Sequence, residues 1–320
     1  MIKLNYKLSQ EQITYRYLRT LFSTRFHNVK GKTVREKFDD LIQVYPFNSI
    51  FYDISFNDII FVKAEKLRHL INKIELRIIE QSEIEYKTIN NKKKFVYSAK
   101  EELKEVFKYE NKFQSPISKF FEKNLQTRTC YFCNIHFVNE YNIKDGSYLN
   151  EFTLDHYYDK GSYPYLALSL YNLIPSCYTC NSKLKKSEEF KNLAPSSRYF
   201  DFHEKVKFKL FLNSSCKHLQ IQKNEDIDLK LKEDSNIYDK YINVFNLNDR
   251  YKAHRDIVYN MIEKSELYPD SRLKELQDLT GIPFQQIKKD IFNLIDENED
   301  LSKKPFNKLI KDMSEELGLT

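Results

Sequence analysis

Cys130-Tyr-Phe-Cys133, Phe152-Thr-Leu-Asp155-His156 and Tyr171-Asn172-Leu-Ile-Pro-Ser-Cys177-Tyr-Thr-Cys180-Asn181-Ser-Lys183 are the segments whose reading decides the fold. A C-x-x-C turn aims two thiolates at one tetrahedral centre, and two such turns complete a four-cysteine zinc site. The chain has five cysteines, and four of them fall into these two pairs. Four unrelated buried thiols are the alternative reading. With all four positions filled by Cys130, Cys133, Cys177 and Cys180, the zinc is expected to be structural, clamping the ends of the long insert between the pairs.

The insert carries the chemistry. Phe152 to His156 alternates as a strand does, and Leu168 to Ser176 reads as a second short strand stopped near Pro175. Tyr178 to Phe190, rich in Lys and Glu, reads as a helix. Asp155 and His156 then lie on the first strand, Asn172 on the second and Asn181 early in the helix. A carboxylate and a carboxamide can share a hard cation such as Mg²⁺ through oxygen. A histidine beside them can take a proton from water, because its pKa lies near working pH. One metal and one imidazole suffice for phosphodiester hydrolysis. Taken alone, Asp155-His156 would be an ordinary surface pair on a strand. Asn172, Asn181 and both cysteine pairs at their spacing argue against that.

This stretch resembles the HNH endonucleases with a ββα-metal fold, in their zinc-clamped four-cysteine form. The resemblance covers residues 130–187 and rests on Asp-His, Asn-Leu and Cys-x-x-Cys-Asn-x-Lys. It implies that His156 is the general base, that Asp155 and Asn181 bind a catalytic Mg²⁺ or Mn²⁺, and that Asn172 holds the loop and orients His156. Among the lysines it favours Lys183 for phosphate contact. Where the family often has His, this chain has Asn181, a common alternative. HNH cores with large helical flanks often act in bacterial antiviral defence or restriction, which makes DNA the expected partner and a regulatory or sensor protein a further one.

Composition agrees with this class. The net charge of +6 permits contact with a polyanion and points to a local basic patch rather than a basic coat. No run of 18 apolar residues is present, and Met1-Ile-Lys-Leu-Asn does not read as a signal peptide, so no membrane association is expected. C-x-x-C thiols suit a reducing compartment, and the expected location is cytoplasmic.

The expected fold class is α+β: a mostly helical chain with a central ββα-metal core and a small antiparallel sheet after it. Residues 1–124 form a helical region that scaffolds the core or recognises a target. Ser9-Gln-Glu-Gln starts one helix, Thr33 to Val44 forms another, and a single long helix runs from about Asn57 to Ser82. Asn90 to Lys94 reads as a basic loop, with helices at Ser98 to Tyr109 and Ser115 to Asn124. Residues 125–192 form the core. There Lys160, in the loop Asp159 to Pro164, is a candidate substrate contact, while Lys185 and Lys186 read as solvated. Residues 193–320 begin with strands at Lys205 to Leu212, His218 to Gln222 and Ile227 to Leu231. Helices follow at Tyr238 to Phe245, Asp249 to Lys264, Ser271 to Leu279, Pro283 to Glu297 and Pro305 to Leu317. Cys216 reads as an idle thiol. Two other functions fit the same chain: a zinc-stabilised nucleic-acid-binding module without catalysis, and an RNA-cleaving or toxin nuclease within a larger complex.

Overall fold

The computed structural model describes every residue except 7, 27–30, 82–85, 90–91, 96–98, 126–127, 143–147, 151, 191–192, 214–220 and 234. The protein is mixed α+β, with helices predominating and its strands paired two by two in antiparallel fashion. The chain forms two compact units, one of residues 3–127 and 138–200, the other of residues 1–2, 128–137 and 201–320. Among the described residues, no helix is long and apolar enough to cross a membrane.

The first unit begins with α1 (Gln10–Ser23), α2 (Val34–Leu41), α3 (Phe47–Ile50), α4 (Phe56–Ile60) and α5 (Leu67–Gln81). Reciprocal side-chain and backbone hydrogen bonds start three of them, from Ser9 with Gln12, Thr33 with Glu36 and Ser55 with Asp58. The single helix expected over 57–82 is two. Helix α4 ends at Ile60, and Lys63 is extended, with its ammonium 2.6 Å from the Tyr171 hydroxyl. One tight turn, Ala64–Lys66, then restarts the helix as α5. The break lets Ile59 and Ile60 as well as Leu67, Ile71 and Ile74 be buried.

After α5 come β1 (Tyr86–Ile89) and β2 (Lys92–Phe95), paired so that Ile89 faces Lys92. The stretch expected as a basic loop therefore has Lys92 to Lys94 in a strand, while Asn90 and Asn91 lie outside the described residues. Helices α6 (Ala99–Val106) and α7 (Gln114–Leu125) follow. Between them the backbone kinks at Glu110, which is extended, and at Asn111, which takes a φ of 62°. Asn tolerates this left-handed conformation better than most residues. Packed rings line the core: Tyr17 meets Phe120 with centroids 4.8 Å apart, and Phe38 meets Phe51 at 5.4 Å. The unit is completed by β3 (Glu140–Asn142) with β4 (Tyr148–Asn150), and by β5 (Thr153–His156) with β6 (Leu173–Ser176).

In the second unit, α8 (Phe202–Lys205) leads into β7 (Lys207–Leu212), which pairs along its whole length with β8 (Ile227–Lys232). Residues 218–220 of the expected intervening strand, and Cys216, lie outside the described residues. Helices α9 (Asp239–Val244), α10 (Leu247–Lys252), α11 (Arg255–Leu267), α12 (Asp270–Thr280), α13 (Phe284–Phe292) and α14 (Asn307–Glu316) complete it. The single helix expected over 249–264 is interrupted at Ala253 and His254. Segment 128–137 is anchored by Asn134, whose φ is 53°. Its buried carboxamide donates to the carbonyls of Leu301 and Lys304 and accepts from the Lys308 amide.

Candidate functional site

The strands β5 and β6 place the proposed chemistry. Their register pairs Thr153 with Ser176, Asp155 with Ile174 and His156 with Leu173. Asp155, His156 and Asn172 are all buried. Asn172 is not in the second strand as expected. It ends a tight turn, Leu170–Asn172, just before β6. There its Oδ1 accepts from the Tyr158 amide at 2.8 Å, and its Nδ2 donates to the carbonyls of Tyr158 and Leu166 at 3.0 and 3.2 Å. One side chain thus closes the loop that runs between the strands. Within that loop the Asp159 carboxylate accepts from Ser162 at 2.8 Å. A side chain at position 161 would meet the same carboxylate at 2.9 Å and would have to push Asp159 aside.

His156 is held on two sides. Its Nε2 lies 3.0 Å from the Ala167 carbonyl. A carbonyl only accepts, so Nε2 carries the proton and Nδ1 is the accepting nitrogen of the neutral ring. The Tyr109 ring packs edge-on against the imidazole, with centroids 4.5 Å apart. Burial, reinforced by the nearby Lys160 charge, pushes the His156 pKa down to about 3. At neutral pH the ring is therefore uncharged, but its pKa lies well below the near-neutral value expected of a general base, so burial makes it a weaker proton acceptor than the sequence implies. Tyr109 is itself buried, and its hydroxyl has no hydrogen-bond partner among the described residues. Burial holds its pKa well above the ordinary phenol value.

Tyr109 and Ala167, the two residues that hold His156, also line a cleft of about 390 Å³. Lys104, Lys108 and Lys160 line it together with the acids Glu105, Glu110 and Asp159, and each lysine is paired with a glutamate, Lys104 with Glu101 at 2.6 Å, Lys108 with Glu105 at 3.1 Å and Lys160 with Glu110. Lys160 is partly exposed, 3.1 Å from Glu110. Lys183 is exposed, lies 6.0 Å from the centre of the Tyr178 ring and is not among the residues that line the cleft.

Asp155 meets a residue that the sequence reading assigned to solvent. The Lys185 side chain is fully buried, with its ammonium 3.1 Å from Asp155 Oδ2. It donates at 3.1 Å to the main-chain carbonyl of His156. Oδ2 nonetheless accepts no well-directed hydrogen bond among the described residues, so the pair is held by charge more than by geometry. Burial pushes the Asp155 pKa up to about 6, against the lowering effect of Lys185. The expected helix over 178–190 is a wide turn, Thr179–Lys185, closed by the Lys186 amide on the Asn181 carbonyl at 3.0 Å. That shorter, wider turn is what carries Lys185 inward. The Asn181 side chain donates to Thr153 Oγ1 at 2.9 Å. Thr153 and Asp155 share one face of β5, because side chains alternate along a strand.

The four cysteines Cys130, Cys133, Cys177 and Cys180 are buried, and their sulfurs all lie within 4.8 Å of one another. Sulfurs around a tetrahedral zinc with bonds of about 2.3 Å stand about 3.8 Å apart, so little contraction would be needed. The Ile135 amide points at Cys133 Sγ at 3.5 Å, a contact that suits a thiolate. This cluster can hold a metal such as zinc. The oxygen donors of Asp155 and Asn181 suit a harder cation.

Tyr109 and Lys185 are the site residues that the sequence did not yield. Tyr109 sits in a region without a motif. Lys185 carried one signal, its place four residues after Asn181, which a regular helix would have turned differently. Comparisons with protein-family models, with curated proteins and with solved structures find no match to this chain.

Proposed function

We propose that the protein is a metal-dependent endonuclease of the HNH type that hydrolyses phosphodiester bonds in DNA, with a structural zinc on Cys130, Cys133, Cys177 and Cys180. The observation that carries this reading is His156: an uncharged imidazole pinned through Nε2, beside a cleft lined by paired lysines and carboxylates, on the strand that also holds a buried aspartate. In this reading His156 Nδ1 takes the proton of a water whose oxygen attacks phosphorus, and the bond from phosphorus to the 3′ oxygen breaks. Tyr109 and the Ala167 carbonyl fix the ring. Asn172 is a positioning residue, holding the loop from which Ala167 follows. Lys104, Lys108 and Lys160 would exchange their glutamate partners for phosphate oxygens at the cleft. Asp155 and Asn181 would hold the divalent cation, which supplies charge stabilisation to the phosphate and the departing oxygen. Their fit rests on donor chemistry and on the buried, poorly bonded Oδ2 of Asp155.

A second surface favours a polyanion. Between α1 and α7, a groove of about 570 Å³ is lined by Arg16, Arg19, Lys119 and Lys123, with Tyr15 exposed at its edge and no carboxylate in the lining. A run of cations with an aromatic side chain beside it suits a nucleic-acid backbone.

The test is incubation with supercoiled plasmid, single-stranded DNA and RNA, each with Mg²⁺, Mn²⁺ or EDTA. Nicking or linearisation of plasmid that needs a divalent cation is the expected outcome. Cleavage that survives EDTA would contradict the metal role, and cleavage of RNA alone would move the substrate class.

A further inference from the structure

Lys185 stands where a cation on Asp155 would be felt most. Among the described residues it is the only cation within ion-pair distance of that carboxylate. Its side chain has no exposure at all, which is rare for lysine unless the charge has a purpose or a partner. Its ammonium also donates to the His156 main-chain carbonyl and lies 5.7 Å from the centre of the Tyr157 ring, contacts that hold the side chain without using the carboxylate. A monocation 3.1 Å from Oδ2 and a divalent cation on the same carboxylate would repel each other strongly in so buried a place.

The backbone around Lys185 offers a way out. It is the last residue of the turn Thr179–Lys185, and the next residue, Lys186, has a φ of 48° without being glycine. Such a conformation is strained for a side chain of this size and persists only where neighbours impose it. The Lys186 amide closes the turn on Asn181, the second oxygen donor of the proposed metal site. A cation drawn to Asn181 and Asp155 would thus act on both ends of the turn that inserts Lys185.

We propose that Lys185 is an internal counter-ion that occupies Asp155 in the metal-free protein, and that a divalent cation enters only as Lys185 withdraws. This rests on the reading of Asp155 as a metal ligand. The metal-free site is then a closed resting state, its carboxylate neutralised by the chain itself. Lysine at 185 sets a threshold of divalent cation below which the site stays shut.

Mn²⁺ binding to the zinc-loaded full chain, measured by calorimetry, tests this without any substrate. Lys185→Met removes the competing charge and should tighten Mn²⁺ binding by about tenfold or more, since like charges brought together cost that much affinity. Lys185→Gln covers the case in which Met at this place fails to fold, because its carboxamide can still donate to the His156 carbonyl. Asp155→Asn identifies the site by abolishing the binding. In the wild type, added Mn²⁺ should speed amide hydrogen exchange across residues 179–186. Equal or weaker binding in both lysine variants, with the Asp155→Asn loss intact, would overturn the counter-ion and leave the nuclease reading standing. Absence of any Asp155-dependent Mn²⁺ binding in every variant would overturn both.

Discussion

Two buried lysine–aspartate pairs stand out among the described residues, one in each unit, and they are built differently. Lys308 and Asp312 lie one turn apart on α14 and are in direct contact. Asp312 Oδ2 also accepts from the Phe208 amide at 2.9 Å, while its Oδ1, 3.5 Å from Lys207, accepts no well-directed hydrogen bond among the described residues. This carboxylate is tied to the backbone of β7 and to a local helical partner. Lys185 and Asp155 lie on different elements, and among the described residues no backbone amide donates to the Asp155 carboxylate. Burial accordingly pushes Asp155 up to about 6. A buried charge tied to a backbone amide anchors structure. One left poorly bonded beside an imidazole costs stability, and is better explained by what it binds.

The largest effect on stability should come from breaking the anchored pair. Asp312→Ala leaves Lys308 buried without its partner and should cost about 3–5 kcal/mol in urea unfolding. A loss under about 1 kcal/mol would erase the distinction between the pairs. The site pair should behave in the opposite sense when both charges go. Asp155→Asn with Lys185→Met should leave the protein as stable or up to about 1–4 kcal/mol more stable, while cleavage disappears. A marked loss of stability in that double variant would make the site pair another anchor.

A comparable effect lies in the pH dependence of the anchored pair. Burial lowers the Lys308 pKa from 10.5 to about 8, with Asp312 holding it up. The folded form then binds fewer protons than the unfolded one between these values, so stability rises with pH from about 8 to 10.5 and is lost again as pH falls through 8. In Lys308→Met that rise should be missing relative to wild type. An identical slope in the two proteins would mean that the charge of Lys308 is not what burial opposes.

Much of this arrangement was legible in the residues, and the parts that were not share a cause. Ser9 with Gln12 announces the start of α1, and the alternation Thr153 to His156 announces β5, because both signals are local. The cysteine pairs carry their own geometry, so their gathering could be expected from spacing. The break between α4 and α5 could not, because it depends on Lys63 reaching Tyr171, far along the chain. Tyr109 escaped for the same reason: only a kink at Glu110 and Asn111 brings its ring to His156. Lys185 was misread because lysine is usually solvated. Nothing short of the actual path of the turn Thr179–Lys185 shows that this one points inward.

The account turns on His156, and plasmid cleavage by wild type and His156→Ala side by side, with Mn²⁺ present and zinc content measured in both, tests it most directly. We expect the variant to keep its zinc and its fold and to lose at least about a hundredfold in cleavage rate, the lower end of what a general base contributes. A His156→Ala protein that cuts plasmid at the wild-type rate would contradict the assignment of His156 as the base and, with it, the proposed nuclease site.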